Sequence, residues 1–350
     1  MSQNQSAPTD LPTRMRDTNM ELLRIAAMLL VLIIHADFFA LGEPSHADTV
    51  AAPLSSAIRY LVQAACSCCV DVFVLLSGWY GIRFRTERLA GFAFQVLFFA
   101  IIGFALGAVL SPDEALTRHG VGSILLLDGS DYTFFKSYVA LYLFAPLLNG
   151  LVARLERRDF RRLLAALYTM MWLYGWLFDG SQWHLEDDSP FAFMLLYLTA
   201  RYLRLHCPRI CNAPRGRFLL LYAGSAAISA AVMFLGIRLW RFCPPLLDYN
   251  SPFVIAAAIG LLLFFTRLRV RSRWIGWVAA SCFAVYLFHG HRLLLHPVYA
   301  EQIRAWYHGL PGGMFVGFTL LWIILWFITA IGLDRVRIGL WNFLLRHTIR

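Results

Sequence analysis

The chain has 350 residues, of which 59% are hydrophobic, 15% aromatic and only 15% charged. A soluble domain averages roughly 45–50% apolar and about 25% charged residues, whereas the mean hydropathy of this chain is +0.60. This composition argues against a soluble enzyme, a nucleic-acid-binding protein and a disordered chain.

Apolar residues occur in runs of about 20, the length that crosses the hydrocarbon core of a bilayer as a helix. Short charged stretches separate these runs. Because lipid offers the backbone no hydrogen-bond partner, each run is expected to be helical. The sequence therefore predicts an all-α, polytopic membrane helix bundle with about ten transmembrane helices.

The predicted elements begin after residues 1–18, which are polar and expected to form a disordered cytoplasmic N-terminus. The first apolar run is long and carries Arg24 and His35, so we expect it to be retained as a span rather than cleaved as a signal peptide. Helices are predicted in chain order at 21–41, 57–80, 89–110, 134–152, 163–178, 190–205, 218–236, 252–267, 275–295 and 313–333. Residues 19–334 are assigned to one transmembrane domain. Residues 335–350 mix basic and apolar side chains and are expected to form a cytoplasmic interfacial tail.

The net charge of +10 is carried almost wholly by arginine, with Lys136 the only lysine. If the N-terminus is cytoplasmic, the even-numbered loops are rich in arginine and the odd-numbered loops are poor in cations, which is the positive-inside pattern. The outer loop at 179–189 carries only acidic charges, from Asp179, Glu186, Asp187 and Asp188. Both termini are therefore expected to be cytoplasmic, in the cell (inner or plasma) membrane. The arginines then face anionic membrane lipid and require no nucleic-acid partner.

The seven cysteines show no spacing typical of a metal site or a disulfide framework. Cys207 and Cys211 share a basic loop, but zinc would need two further ligands nearby. No metal site and no bound cofactor are predicted.

Ionisable side chains inside spans are costly, and they are candidate functional groups. Arg24 and His35 are eleven residues apart on the first helix, a separation of about 16 Å in rise and about 20° in azimuth. They are predicted to share one face, with Arg24 near the cytoplasmic surface and His35 in the outer half. Counting from the helix ends places Asp71 at the depth of Arg24. An ion-pair cluster of Glu21, Arg24 and Asp71 is therefore expected, with a structural role favoured for Asp71.

A second histidine is predicted to reach the depth of His35. His289 is fourteen residues beyond the start of the ninth helix, as His35 is beyond Glu21. The two rings are expected to flank one cavity. His291 and Arg292 are expected to lie nearer the outer surface, in contact with solvent.

Arg24 and His35, with ten residues between them, form one of several short motifs in the chain. The others are VDVFVLLSGW at 70–79, ALYLFAPLLN at 140–149, YNSP at 249–252 and YLFH at 286–289. These motifs resemble those of the acyltransferase-3 family of bacterial membrane acyltransferases, whose signature includes Arg-x10-His. Val74 and His291 depart from the residues expected at their positions. Since the motifs extend from residue 19 to about 292, residues 19–334 are identified as an acyltransferase-3-like transmembrane domain.

The resemblance implies transfer of an acyl group, usually acetyl, from acyl-CoA as co-substrate to a carbohydrate hydroxyl of a cell-surface glycan or lipid-linked sugar. It implies that His35 is the essential histidine and that Arg24 is its partner. The resemblance also makes three arginines of the first cytoplasmic loop candidates for the donor site, namely Arg83, Arg85 and Arg88. Residues expected to support the polar seam are Glu21, Asp71, Ser77 and His289.

Physical chemistry is consistent with this implied reaction. A neutral histidine can take the proton of a sugar hydroxyl as the oxygen attacks a thioester. The phosphorylated nucleotide of CoA cannot enter lipid, so it is expected to stay at the arginine-rich inner face. Arginine forks bind phosphate oxygens in a bidentate manner. The rise from Arg24 to His35 is comparable to the reach of an extended pantetheine arm.

Two other functional classes compete with this interpretation. A transporter or exporter of glycans or small polar solutes also places charged side chains in spans, but it would not consume acyl-CoA. An intramembrane hydrolase would use Ser77 or a cysteine as nucleophile. No G-x-S-x-G sequence surrounds Ser77, which disfavours the hydrolase. The oligomeric state is left open by the sequence.

Overall fold

The structure is a computed structural model that describes residues 18–110, 112–117, 122, 132–177 and 188–348. Every regular element within these ranges is a helix, as the all-α prediction requires. Residues 1–17 of the predicted N-terminal segment and residues 179–187 of the predicted acidic loop lie outside the described ranges.

The helices that build the bundle are, in chain order, α1 Thr18–Phe39, α2 His46–Ala51, α3 Pro53–Cys66, α4 Cys69–Tyr80, α5 Thr86–Leu110, α6 Pro112–Ala115, α7 Thr133–Arg154, α8 Arg157–Met170, α9 Pro190–His206, α10 Pro208–Cys211, α11 Arg215–Leu235, α12 Pro252–Thr266, α13 Arg273–Ala279, α14 Cys282–His289, α15 Arg292–Leu294, α16 Glu301–Gly309 and α17 Gly312–Thr348. Wider π-helical turns occur at His35–Phe39, Met171–Leu177, Gly236–Trp240 and Leu295–Ala300. The first of these turns ends α1 and carries His35.

Within the described ranges, six helical stretches are long and apolar enough to cross a membrane, and one bent pair raises this number to seven. The six are Thr18–Phe39, Pro53–Tyr80, Thr86–Leu110, Thr133–Arg154, Arg215–Trp240 and Gly312–Leu344. Helices also occupy the other predicted segments, but α9 has only 17 residues and α12 only 15. The multi-pass helical architecture is therefore confirmed. The number of ten spans and the orientation of the termini stay predictions.

The predicted ninth helix, 275–295, is not continuous, and this prediction is wrong. The helix breaks between α13 and α14, and again after His289, where its direction changes by 71°. At the second break, the backbone of His291 is extended and its side chain accepts a hydrogen bond from the Leu293 amide, at 3.3 Å. This cap begins a new helix. The apolar pattern conceals the break because the residues on both sides of it are buried.

Helix α1 lies between two large apolar clusters and divides its own residues between them. Its inner part, including Leu23 and Ala27, packs with α4, α7, α9 and α12. Its outer part, including Leu32 and Ile34, packs with α5, α14 and α17. The polar face of α1 therefore lies where the two halves of the bundle meet.

The long helix α17 is joined to this bundle by a buried carboxylate that the sequence analysis missed. Asp334 is fully buried and accepts hydrogen bonds from Gln95 at 3.1 Å, Ser281 at 2.7 Å and Arg337 at 2.6 Å. These partners lie on α5, at the α13–α14 break and on α17 itself. Helix α17 continues through Arg335 to Thr348, and the interfacial position of the tail at 335–350 stays a prediction.

Candidate active site

A cavity of about 370 Å³ lies along the polar face of α1. His35 and Arg24 both line this cavity, together with Ser77 of α4. Most of the remaining wall is aromatic and apolar, including Phe39, Phe92, Tyr132, Phe134, Tyr138, Tyr249, Phe283 and Tyr286. His35 therefore faces a cavity inside the helix bundle.

A second cavity, of about 350 Å³, lies next to the first and reaches the basic segment between α4 and α5. Arg83 and Arg88 line this second cavity. The residues that line both cavities are Arg24, Leu76, Ser77, Phe92 and Tyr138. We call these five residues the neck. The neck is therefore a wall that the arginine-lined cavity shares with the cavity that contains His35.

The neck carries a small set of polar side chains. The Ser77 hydroxyl donates to the Phe73 carbonyl at 3.0 Å, in the back-bonding arrangement common for serine in helices. Its oxygen also lies 3.0 Å from the Tyr138 hydroxyl. Because the serine proton is already used, Tyr138 is the donor in this second hydrogen bond. Ser77 is thus held as a hydrogen-bonding wall residue, and neither of these two partners is a histidine.

Arg24 is held in the neck by Glu21, one turn earlier on α1. Their side chains form an ion pair of 2.6 Å, with 9% of the Glu21 side chain and 35% of the Arg24 side chain exposed. Glu21 lies in the first turn of α1, where a negative charge also interacts favourably with the helix dipole. The pair reduces the cost of placing the guanidinium within the bundle.

Asp71, the third member of the predicted ion-pair cluster, is fully buried on α4. Its carboxylate interacts electrostatically with Cys68, Cys69 and Tyr168. The ion pair that the structure shows for Arg24 is the one with Glu21.

The structure brings His35 and His289 into contact, although 254 positions separate them in the chain. Nδ1 of His35 lies 3.0 Å from Nε2 of His289. Nδ1 of His289 lies 2.7 Å from the Val285 carbonyl oxygen. His289 is fully buried, whereas His35 reaches the cavity. The histidine ring facing the cavity is therefore supported from behind by a second ring.

His291 was expected to be solvated, and this expectation is wrong. Its ring is fully buried and packs against α5 at Gly103, where an added Cβ would lie only 2.3 Å from the ring. A residue without a side chain at position 103 thus makes room for the imidazole. Arg292, the neighbouring residue, is exposed as expected.

The basic segment 81–85 is fixed by side chains from α7 and α9. The Tyr197 hydroxyl accepts from the Ile82 amide at 3.1 Å, and Asn149 donates to the Ile82 carbonyl at 2.8 Å. The Tyr142 hydroxyl accepts from the Arg85 amide at 3.0 Å. We call this segment the strap. The stretch 140–149, noted above only as a similar motif, supplies two of the three side chains that hold it.

Gly81 begins the strap and is required there by its backbone. Its φ of +78° lies in the left-handed region that favours glycine. A Cβ at this position would also lie 3.2 Å from the Arg201 guanidinium. The turn directs the chain so that Arg83 lines the second cavity. Arg85, predicted with Arg83 and Arg88, is not among the described residues lining this cavity.

Two features of the site were not predicted. Tyr138 and Phe92 of the neck carry no charge, so the pattern of charged residues in the spans does not indicate them. The π-helical turn at His35–Phe39 is held by the Arg59–Asp37 ion pair of 2.7 Å and by a hydrogen bond from Tyr299 to the Leu32 carbonyl at 2.8 Å. Such turns are frequent at functional sites.

Within the described ranges, no group of three or more His, Cys, Asp or Glu side chains is arranged to hold a metal ion.

Comparison with known families decides between the candidate classes. The family model of the acyltransferase-3 proteins, described as an acyltransferase domain, matches residues 17–333, nearly the whole chain. The chain belongs to the acyltransferase-3 family. It has no significant match among curated proteins or solved structures.

This acyltransferase-3 protein therefore belongs to the general class of membrane acyltransferases. The matched range contains Arg24, His35, the neck, the strap and His289. The residues that line the two adjoining cavities thus all lie within the acyltransferase domain.

Proposed function

We propose that the protein transfers an acyl group, in the simplest case acetyl, from acyl-CoA to a hydroxyl of a cell-surface or exopolysaccharide sugar, with His35 as the general base. The observation that supports this proposal is the neck between the two cavities. It offers a route from Arg83 and Arg88 to the histidine of α1. The protein would act in the cell membrane with both termini in the cytoplasm.

The donor would occupy the cavity of the strap and the neck. Arg83 and Arg88 offer guanidinium donors to the phosphates of CoA at the inner face, where arginine is suited to bidentate contacts. The pantetheine arm would pass Arg24, Ser77 and Tyr138, whose polar groups suit its amides. The rise from Arg24 to His35 is about 16 Å, which is comparable to the reach of an extended pantetheine arm. A donor held at the arginines could therefore place its thioester in the cavity of His35.

The reaction balances with one base. His35 takes the proton of the acceptor hydroxyl while the oxygen attacks the thioester carbonyl carbon. The carbon–sulfur bond breaks, and the departing CoA sulfur receives the proton from His35. The products are an ester and free CoA. Arg24 lies on the donor path, so its proposed role is to orient the donor rather than to contact His35.

The acceptor would enter the cavity of His35 from the opposite side. Asp188 and Tyr249 line this cavity. Asp188 lies just before the start of α9, and Tyr249 lies just before the start of α12. A carboxylate can accept hydrogen bonds from sugar hydroxyls, and aromatic rings offer flat apolar faces to a sugar ring. These wall residues support a carbohydrate acceptor.

The test uses purified protein in lipid nanodiscs with acetyl-CoA and surface polysaccharide. We expect CoA release together with a gain of one acetyl mass on the glycan, and loss of both in His35→Ala. His308→Ala, an exposed histidine on α16, is the matched control. Undiminished acetylation by His35→Ala would remove the base role. Movement of glycan without consumption of acyl-CoA would instead identify a transporter.

A further inference from the structure

The contact between His289 and Val285 determines where His289 carries its proton. A carbonyl oxygen only accepts hydrogen bonds, and it lies 2.7 Å from Nδ1 of His289. Nδ1 of His289 must therefore carry a hydrogen. In a neutral imidazole the other nitrogen, Nε2, is then an acceptor.

The same argument extends to His35. Its Nδ1 lies 3.0 Å from the acceptor nitrogen Nε2 of His289. Two acceptors at this distance would repel each other, so Nδ1 of His35 carries a hydrogen and donates it. The nitrogen left with a free lone pair is Nε2 of His35, the base nitrogen that general-base catalysis needs.

The surroundings favour two neutral rings over a charged pair. His289 is fully buried, and rings of Phe39, Tyr286 and Tyr299 pack around the pair with centroid separations of 4.4 Å, 6.4 Å and 6.0 Å. A charged imidazolium in such apolar surroundings is costly. The chain of Val285 carbonyl, His289 and His35 uses each of its hydrogens once and needs no charge.

We propose that His289 is a positioning residue that fixes His35 in the Nδ1–H tautomer and directs the Nε2 lone pair to the acceptor hydroxyl. This inference rests on the proposed function of His35. During transfer, the hydroxyl proton moves to Nε2 of His35 and then to the CoA sulfur. His289 keeps its own proton on Nδ1 and stabilises the transient positive charge of His35 through the shared hydrogen bond.

A neutral partner suits a site inside a membrane. Serine hydrolases orient their histidine with an aspartate, and loss of that carboxylate function leaves the wrong tautomer and lowers kcat by about 10⁴-fold. A carboxylate behind His35 would have to be desolvated in the bundle. His289 provides the same orientation through a lone pair, without a buried negative charge.

Two variants at one position test the inference. His289→Gln retains an amide oxygen near the place of Nε2, so it can still accept from His35. His289→Leu fills similar space without an acceptor. We expect His289→Leu to lower kcat by about 100-fold, within the range of general-base contributions, with little change in KM for either substrate. His289→Gln is expected to recover most of the lost kcat.

The tautomer itself can be measured independently of activity. In ¹⁵N-histidine-labelled protein, the signals of His35 are identified by their absence in His35→Ala. We expect a protonated Nδ1 and an unprotonated Nε2 in the wild-type protein. A proton on Nε2 instead would overturn the inference, even if the leucine variant failed to fold.

The outcomes separate this inference from the proposed function. Equal kcat in His289→Leu and wild type would contradict the positioning role of His289 and would leave the acyltransferase proposal intact. Equal loss in the leucine and glutamine variants, with both folded, would also overturn it. Absence of acyl transfer by the wild-type protein itself would instead contradict the proposed function.

Discussion

Tyr197 and Asn149 are joined by a hydrogen bond of 2.6 Å, and together they hold both polar groups of the Ile82 peptide backbone. Neither side chain lines the described cavities. Their contact instead fixes the strap from behind, so it controls where Arg83 is presented.

Loosening the strap is therefore predicted to weaken donor binding. In Asn149→Leu, the Ile82 carbonyl and the Tyr197 hydroxyl each lose a partner, at a cost of about 1–3 kcal/mol. We expect KM for acyl-CoA to rise about tenfold, with a smaller effect on kcat at saturating donor. Steady-state kinetics measures the change, and Asn342→Leu, an exposed position on α17, is the control. An unchanged KM would show that the strap does not position the donor.

The three arginines of the strap region are predicted to differ in importance. Arg83→Ala and Arg88→Ala each remove a guanidinium that lines the second cavity, whereas Arg85→Ala does not. We expect KM for acyl-CoA to rise about tenfold or more in the first two variants, since a charge-assisted hydrogen bond contributes about 1.5–3 kcal/mol.

A donor without a nucleotide provides the control for this comparison. A short acyl thioester of N-acetylcysteamine carries no phosphate, so the arginine substitutions should leave its use unchanged. If Arg85→Ala impairs acyl-CoA use as strongly as the other two, the assignment of the donor site to this cavity is wrong.

The neck is predicted to be the narrow point of the donor path. Phe92→Trp enlarges a ring that lines both cavities, so the pantetheine arm should pass less easily and kcat/KM for acyl-CoA should fall by at least about tenfold. Phe94→Trp is the matched control, because Phe94 packs on Trp341 with ring centroids 4.9 Å apart and does not line the neck. A thermal unfolding curve for each variant checks that the fold is retained. Equal activity of the two variants would argue for another route.

The buried carboxylate of Asp334 is predicted to stabilise the bundle. Asp334→Leu leaves Arg337, Gln95 and Ser281 without their shared acceptor, and breaking a buried ion pair from one side costs about 3–5 kcal/mol. Asp159→Leu removes the partner of Arg162 in an exposed pair, with side chains 56% and 62% accessible, so its effect should stay below about 1 kcal/mol. Unfolding in detergent measures both. Similar midpoints for the two variants would contradict a stabilising role.

The sequence predicts those parts of the site that depend on local geometry. Helical periodicity placed Arg24 and His35 on one face of α1, and both do line one cavity. The arginines of the strap follow from the positive-inside pattern and the family resemblance. These features need only the spacing within a single helix or loop.

Long-range packing decides the features that were missed. The direct contact of His35 with His289 depends on the packing of α14 against α1, two helices that lie far apart in the chain. The burial of His291 depends on the space left by Gly103 on another helix. Asp334 directly follows the helix predicted at 313–333, yet its partners include residues from two other parts of the chain. No local sequence pattern predicts such contacts between residues that are distant in the chain.

Helix α17 has 37 residues, so it is about 56 Å long at 1.5 Å per residue. The hydrocarbon layer is about 30 Å thick, and the surplus length has to emerge among the lipid headgroups. In the last third of α17, Trp341 packs on Phe94 and lies next to Gly91, near the start of α5. Truncation at Arg335 would remove Trp341 and so expose this part of α5. A purification tag attached after the last residue would leave the contact between Trp341 and α5 in place.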